Sequence, residues 1–102
     1  MIVVSNNNGY TVERAIHGPT KAYNDIAPWR WTSLPAAFGA APGAHQTFRV
    51  TTGRELAAAL AAAEVHPDRL TLIEAVTAEL DVPDLLTRVA QAAAQANAPG
   101  RD

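Results

Sequence analysis

The chain has 102 residues and a net charge of −2, a length that fits one domain. Of its 48% hydrophobic residues, 22 residues are alanine, which leaves larger side chains for one modest core. With 8 Lys and Arg against 10 Asp and Glu, no Cys, no membrane-length apolar run and no signal-peptide pattern, the composition excludes a basic nucleic-acid surface, disulfides and thiolate chemistry, and reads as a cytoplasmic chain.

Residues 1–5 are a short, continuous apolar run, which reads as a strand of a parallel sheet with both faces covered. Asn6, Asn7, Asn8 and Gly9 end it, because Asn and Gly tolerate left-handed backbone. Val12, Ala15 and Ile16 follow at helical spacing over 11–17, and Gly18-Pro19 stops the helix. Residues 18–46 hold four Pro and three Gly. A connection of that length inside a small domain is functional or disordered. Tyr23, Trp29, Trp31 and Phe38 give it aromatic anchors, which argues for order. Thr32 or Ser33 is placed to cap a short helix over 35–38.

A second strand is expected at 46–50. Thr52 and Glu55 then have the spacing of a capping box, opening a helix to about residue 64 that presents Leu56, Ala59, Leu60 and Ala63. A third strand is expected at 70–76. Asp81, Pro83 and Asp84 announce a last helix with Leu85, Leu86, Val89 and Ala93 as its face, and residues 99–102 read as a tail. The alternation predicts an α/β fold with a small, mainly parallel three-stranded sheet and flanking helices. Ligands of such sheets bind beyond the carboxyl ends of the strands, which puts the polar turn at 6–9 where a site is expected.

Asn7, Gly9 and Glu13 are the residues of interest. Side-chain and main-chain carbonyls suit a hard cation, and a helix start suits phosphate. The plain alternative is an Asn-Gly turn followed by a Glu that the helix dipole favours. His17, His45 and His66 have no metal-ligand spacing, and Glu74, in an apolar strand, needs partners if buried.

The run from Asn6 to Gly18 (Asn-Asn-Asn-Gly-Tyr-Thr-Val-Glu-Arg-Ala-Ile-His-Gly), with Tyr23-Asn24-Asp25-Ile26 and Trp29-Arg30-Trp31, closely resembles the C-terminal region of thiamine-diphosphate-dependent 2-oxo-acid decarboxylases. The branch is that of the indolepyruvate, phenylpyruvate and branched-chain enzymes, with pyruvate decarboxylase a close relative. The resemblance covers nearly the whole chain, so that 1–98 is expected to be the C-terminal part of a diphosphate-binding domain. It implies thiamine diphosphate and Mg²⁺ as cofactors. Asn7 would give a side-chain oxygen and Gly9 a backbone carbonyl to the metal. Asn7, Gly9, Tyr10 and Val12 would contact the cofactor, and Val12 and Ile16 would line the substrate pocket. The family usually has an acidic residue where this chain has Asn8, a position that is not a ligand.

Glu13 takes the family's catalytic acid/base position. The carbon left when CO₂ departs must gain a proton before an aldehyde is released, and a carboxyl group can deliver it. Val12 is smaller than the Ile of pyruvate-specific members, which implies room for a larger 2-oxo acid. The family's Gly-Asp-Gly metal motif, pyrimidine-binding domain and paired active-site His have no counterpart in these 102 residues. The expected partners are therefore the rest of the enzyme, a 2-oxo acid and, in the full-length family, further subunits, with no nucleic acid or membrane. The isolated chain is expected to be inactive. A non-catalytic remnant or interaction module, or a carboligating synthase, are the competing readings.

Overall fold

The computed structural model describes residues 1–100. They form three strands, β1 (Ile2–Asn6), β2 (His45–Val50) and β3 (Leu70–Val76), and four helices, α1 (Thr11–His17), α2 (Leu34–Ala37), α3 (Gly53–Val65) and α4 (Asp84–Ala96). The sheet is all-parallel with the order β1-β3-β2, as the alternation predicts. The last two residues of the expected tail lie outside the described residues; Pro99 and Gly100 form a turn.

The chain divides into two compact units. One is made of residues 1–6 and 28–77, the other of 7–27 and the chain from Ala78 onward. In the first unit β3 lies between its two neighbours, and Thr71, Leu72, Ile73 and Glu74 are buried in succession. A central parallel strand is covered on both faces, so its apolar run needs no alternation. On one face Ile73 packs with Val50 and Ala59, supported by Phe48, Leu56 and Ala75. On the other, Ile2, Val4 and Leu72 floor an open apolar cleft of about 500 Å³ walled by Trp31, Leu34 and Phe38.

β1 departs from expectation. Its apolar run reads as doubly covered, yet it is an edge strand of this sheet, with Ile2 48% and Val3 49% exposed. An apolar run reports that a strand can be buried, not that the covering elements lie in the same 102 residues.

The caps also differ in detail. Thr52 Oγ1 accepts the Glu55 amide, 3.2 Å, as in a capping box. The Glu55 carboxylate, however, reaches one residue further back and accepts the Thr51 amide at 2.8 Å. Ser33 occupies the cap position of α2 without a side-chain bond, since a 3₁₀ turn over Trp31–Ser33 already leads into the helix. Pro83 precedes α4 in extended conformation instead of entering its first turn. Glu74 finds the partners its burial demands: Asn6 Nδ2 donates to it at 2.8 Å and Arg49 Nε lies at 3.5 Å.

The loop aromatics split. Trp31 is half-buried and stacks on the exposed Trp29, ring centroids 5.2 Å apart, whereas Tyr23 and Phe38 are exposed. Trp31 is thus the anchor among them. Among the described residues no helix is long and apolar enough to cross a membrane.

Candidate functional site

All six residues singled out by the sequence lie in the second unit, on the turn at 7–10 and on α1. The turn is tight. Asn8 sits at φ 62° and Gly9 at φ 149°, the left-handed region that Asn tolerates and Gly enters freely. Gly9 is required a second time by space. A Cβ there would lie 2.3 Å from Arg14 Nη2 and 2.5 Å from the Asn24 carbonyl oxygen. The Tyr10 amide donates to that same carbonyl at 2.8 Å, and Gly9 forms an antiparallel bridge with Asp25.

α1 then turns two polar residues inward. Thr11 and Arg14 are buried, while Val12 and Glu13 are exposed and Ile16 is half-exposed. The apolar face expected from Val12, Ala15 and Ile16 is thereby displaced, with Val12 exposed and Ala15 and Ile16 half-buried. The reason lies in the partners available. Thr11 Oγ1 donates to the Glu79 carbonyl at 2.6 Å, and the Arg14 guanidinium binds the turn and Asp25. The helix packs against α4, whose inward residues are Leu86, Ala90 and Ala93, while Leu85 and Val89 face outward. The face expected on α4 is thereby rotated, with Ala90 at its centre.

On the outward side of α1, Ile16 lies four residues from Val12 and three from Glu13, spacings that make it a neighbour of both. The Glu13 carboxylate is about half exposed, and His17 Nε2 lies 3.3 Å from it, one helical turn on. Tyr10 precedes the helix with its ring exposed.

The donor set of the turn is oxygen-based and neutral. The main-chain carbonyls of Asn7 and Asn8 accept from Arg14. The Asn7 carboxamide, by contrast, makes no hydrogen bond with the described residues, nor does the Gly9 carbonyl. Two free neutral oxygens in a turn suit part of the shell of a hard cation, which takes six or more oxygens in all. They fit a shared Mg²⁺ site and fall short of a complete one. Among the described residues no group of three or more His, Asp and Glu could hold a metal. Buried Asn24 Nδ2 and Arg14 Nε are donors without an acceptor; both residues fall in the runs that carry the resemblance, which gives neither a role.

No protein-family model matches the chain. Curated proteins do. The chain is 48% identical over 101 residues to an alpha-keto-acid decarboxylase of Mycolicibacterium paratuberculosis, 99% of this chain and 18% of that protein. It is 47% identical over 97 residues to the one of Mycobacterium leprae, 95% of this chain and 17% of that protein. With the one of Mycobacterium ulcerans it shares 54% over 86 residues, 84% of this chain and 15% of that protein. The chain thus spans less than a fifth of the length of these relatives.

Proposed function

We propose that this chain, a relative of the alpha-keto-acid decarboxylases over nearly all its length, is the C-terminal segment of the diphosphate-binding domain of a non-oxidative 2-oxo-acid decarboxylase. The whole enzyme would convert a 2-oxo acid to an aldehyde and CO₂. The observation that carries this reading is the 48% identity over 101 residues to a protein of that name. The sequence of the turn and α1 and their geometry support it.

In this reading Asn7 Oδ1 and the Gly9 carbonyl are two of the Mg²⁺ ligands. Asn7, Gly9, Tyr10 and Val12 would hold thiamine diphosphate. When bound, that cofactor supplies the electron sink for the pair released as CO₂ leaves. Glu13 would be the acid/base group that moves the proton the aldehyde carbon must gain. Val12 and Ile16, on the same outward side of α1 as Glu13, offer an apolar wall to the substrate side chain. The exposure of that side is consistent with a pocket completed by other parts of the enzyme.

The competing reading, a module that keeps the fold without the chemistry, finds its support in the exposed edge of β1. Unpaired strand edges seek partners.

The two separate in one experiment. The chain is co-expressed with the M. paratuberculosis decarboxylase from which the matched segment has been deleted, and CO₂ release from several 2-oxo acids is followed with thiamine diphosphate and Mg²⁺. The chain alone should show no turnover, and the mixture should show turnover that Glu13→Gln abolishes. Turnover by the chain alone, or an active mixture indifferent to Glu13, would overturn the proposal. A stable but inactive mixture favours the module.

A further inference from the structure

Arg14 is 2% exposed, in a helix of seven residues, where an apolar side chain would be cheaper to bury. Its contacts explain its place. Nη1 donates to the Asn7 carbonyl at 3.4 Å, and Nη2 donates to the Asn8 carbonyl and to Asp25 Oδ1, both at 2.7 Å. The same guanidinium lies against the Cα of Gly9, where a Cβ would come 2.7 Å from Cζ. One planar group therefore touches every residue of the turn and ties it to a carboxylate eleven residues further on.

We infer that Arg14 is a positioning residue which clamps the 7–9 turn and selects its free oxygen donors, and thereby sets how tightly the turn holds a divalent cation bound to a diphosphate. The cation part rests on the function proposed above. The selection is visible in the bonds. Of three successive main-chain carbonyls, Arg14 occupies those of Asn7 and Asn8, which leaves the Gly9 carbonyl and the Asn7 side chain. The backbone at Asn8 and Gly9 is in a left-handed region that costs energy for a non-glycine residue and persists where its surroundings enforce it. Arginine suits the task because its rigid fork meets several acceptors at once; the lysine ammonium is a point charge on a flexible stem. Asp25, with its side chain 63% exposed, offsets the charge while remaining open to solvent.

The test uses Arg14→Gln, Arg14→Lys and Asp25→Asn in the full chain, alone and assembled with the deleted decarboxylase. In the chain alone, hydrogen exchange of the Tyr10 amide, which donates to the Asn24 carbonyl, should accelerate in Arg14→Gln while that of the α4 amides stays the same. In the assembly, the Mg²⁺ concentration needed to retain thiamine diphosphate should rise about 10- to 100-fold, as for other outer-shell partners of a metal site. The rise should be smaller for Asp25→Asn. Arg14→Lys should restore little in either measurement. The metal requirement should move more than kcat at saturating Mg²⁺, a split that a generally unstable protein does not produce.

Unchanged exchange and an unchanged metal requirement in Arg14→Gln would overturn the inference. If Arg14→Gln does not fold, Asp25→Asn carries the same two measurements, and no change in either would overturn it equally. Should the wild-type assembly retain no thiamine diphosphate at any Mg²⁺ concentration, the decarboxylase reading fails and takes the cation role with it. Turn exchange in the chain alone then still decides the clamp.

Discussion

Ile73 and Arg14 are both sealed from solvent, one in each unit of the chain. Ile73 sits among Val50, Ala59, Phe48, Leu56 and Ala75, and what holds it is non-directional burial. Arg14 is held by two main-chain carbonyls and a carboxylate, each of which must be in a particular place. The contrast extends to their surroundings. Among the described residues of the second unit, those buried are Thr11, Arg14, Asn24 and Ala90, so three of these four carry polar groups. In the first unit the buried Glu74 and Thr71 are each hydrogen-bonded, and the remaining interior is apolar. An apolar interior fixes a shape by filling it. A polar interior is costly unless its partners are placed, and it fixes the path of the backbone that supplies them.

The largest expected effect tests the apolar side of this contrast. Ile73→Ala empties the centre of the sheet and should destabilise the chain by about 2–5 kcal/mol, read from the urea midpoint. A loss below about 1 kcal/mol would mean that the site collapses around the smaller residue, and that the first unit is no better packed than the second. Next comes the backbone of the polar side. Gly9→Ala forces a Cβ against the Arg14 guanidinium and the Asn24 carbonyl at a φ of 149°. The strain should be of order 1–3 kcal/mol, with faster exchange at the Tyr10 amide, whose acceptor is the Asn24 carbonyl. A variant as stable as the wild type, with an unchanged Tyr10 amide, would show that the turn has room which the contacts deny.

The same contrast explains what the sequence made legible. The apolar unit was readable because burial leaves a pattern. β3 occupies 70–76 as expected, α3 runs one residue beyond its expected end, and Ala59 lies on the expected face. In the polar unit the limits of α1 were also readable, since Asn-Gly and Gly-Pro bracket it. Its orientation was not. Periodicity counts apolar residues and assigns them inward, whereas α1 spends its inward positions on Thr11 and Arg14. No local signal shows that an arginine will find three acceptors from residues six, seven and eleven positions away. The position of β1 at the sheet edge was hidden for a related reason, because a strand's own residues do not specify how many neighbours it has. For the site, Asn7, Gly9 and Glu13 were legible as residue types in a turn-helix context. Their assignment to metal, cofactor and proton transfer came from the resemblance.

The smallest effect discriminates most finely, because it asks whether the second unit draws anything from apolar burial. Leu85 and Leu86 are neighbours on α4, chemically identical and one position apart. Leu85 is 72% exposed and Leu86 is half-buried on the side of Ala90. Leu85→Ala should change stability by no more than about 0.5 kcal/mol, while Leu86→Ala should cost about 1–2 kcal/mol, in proportion to the apolar area it loses. Both are read from urea midpoints on the same chain, so differences in helix propensity between Leu and Ala cancel. Equal small losses would mean that the rotated face of α4 contributes nothing, and that polar bonds alone hold the second unit; equal large losses would restore the face expected from the sequence, which holds both leucines. A larger loss at Leu85 would mean that it, and not Leu86, faces the interior, and would remove α1 from its present packing.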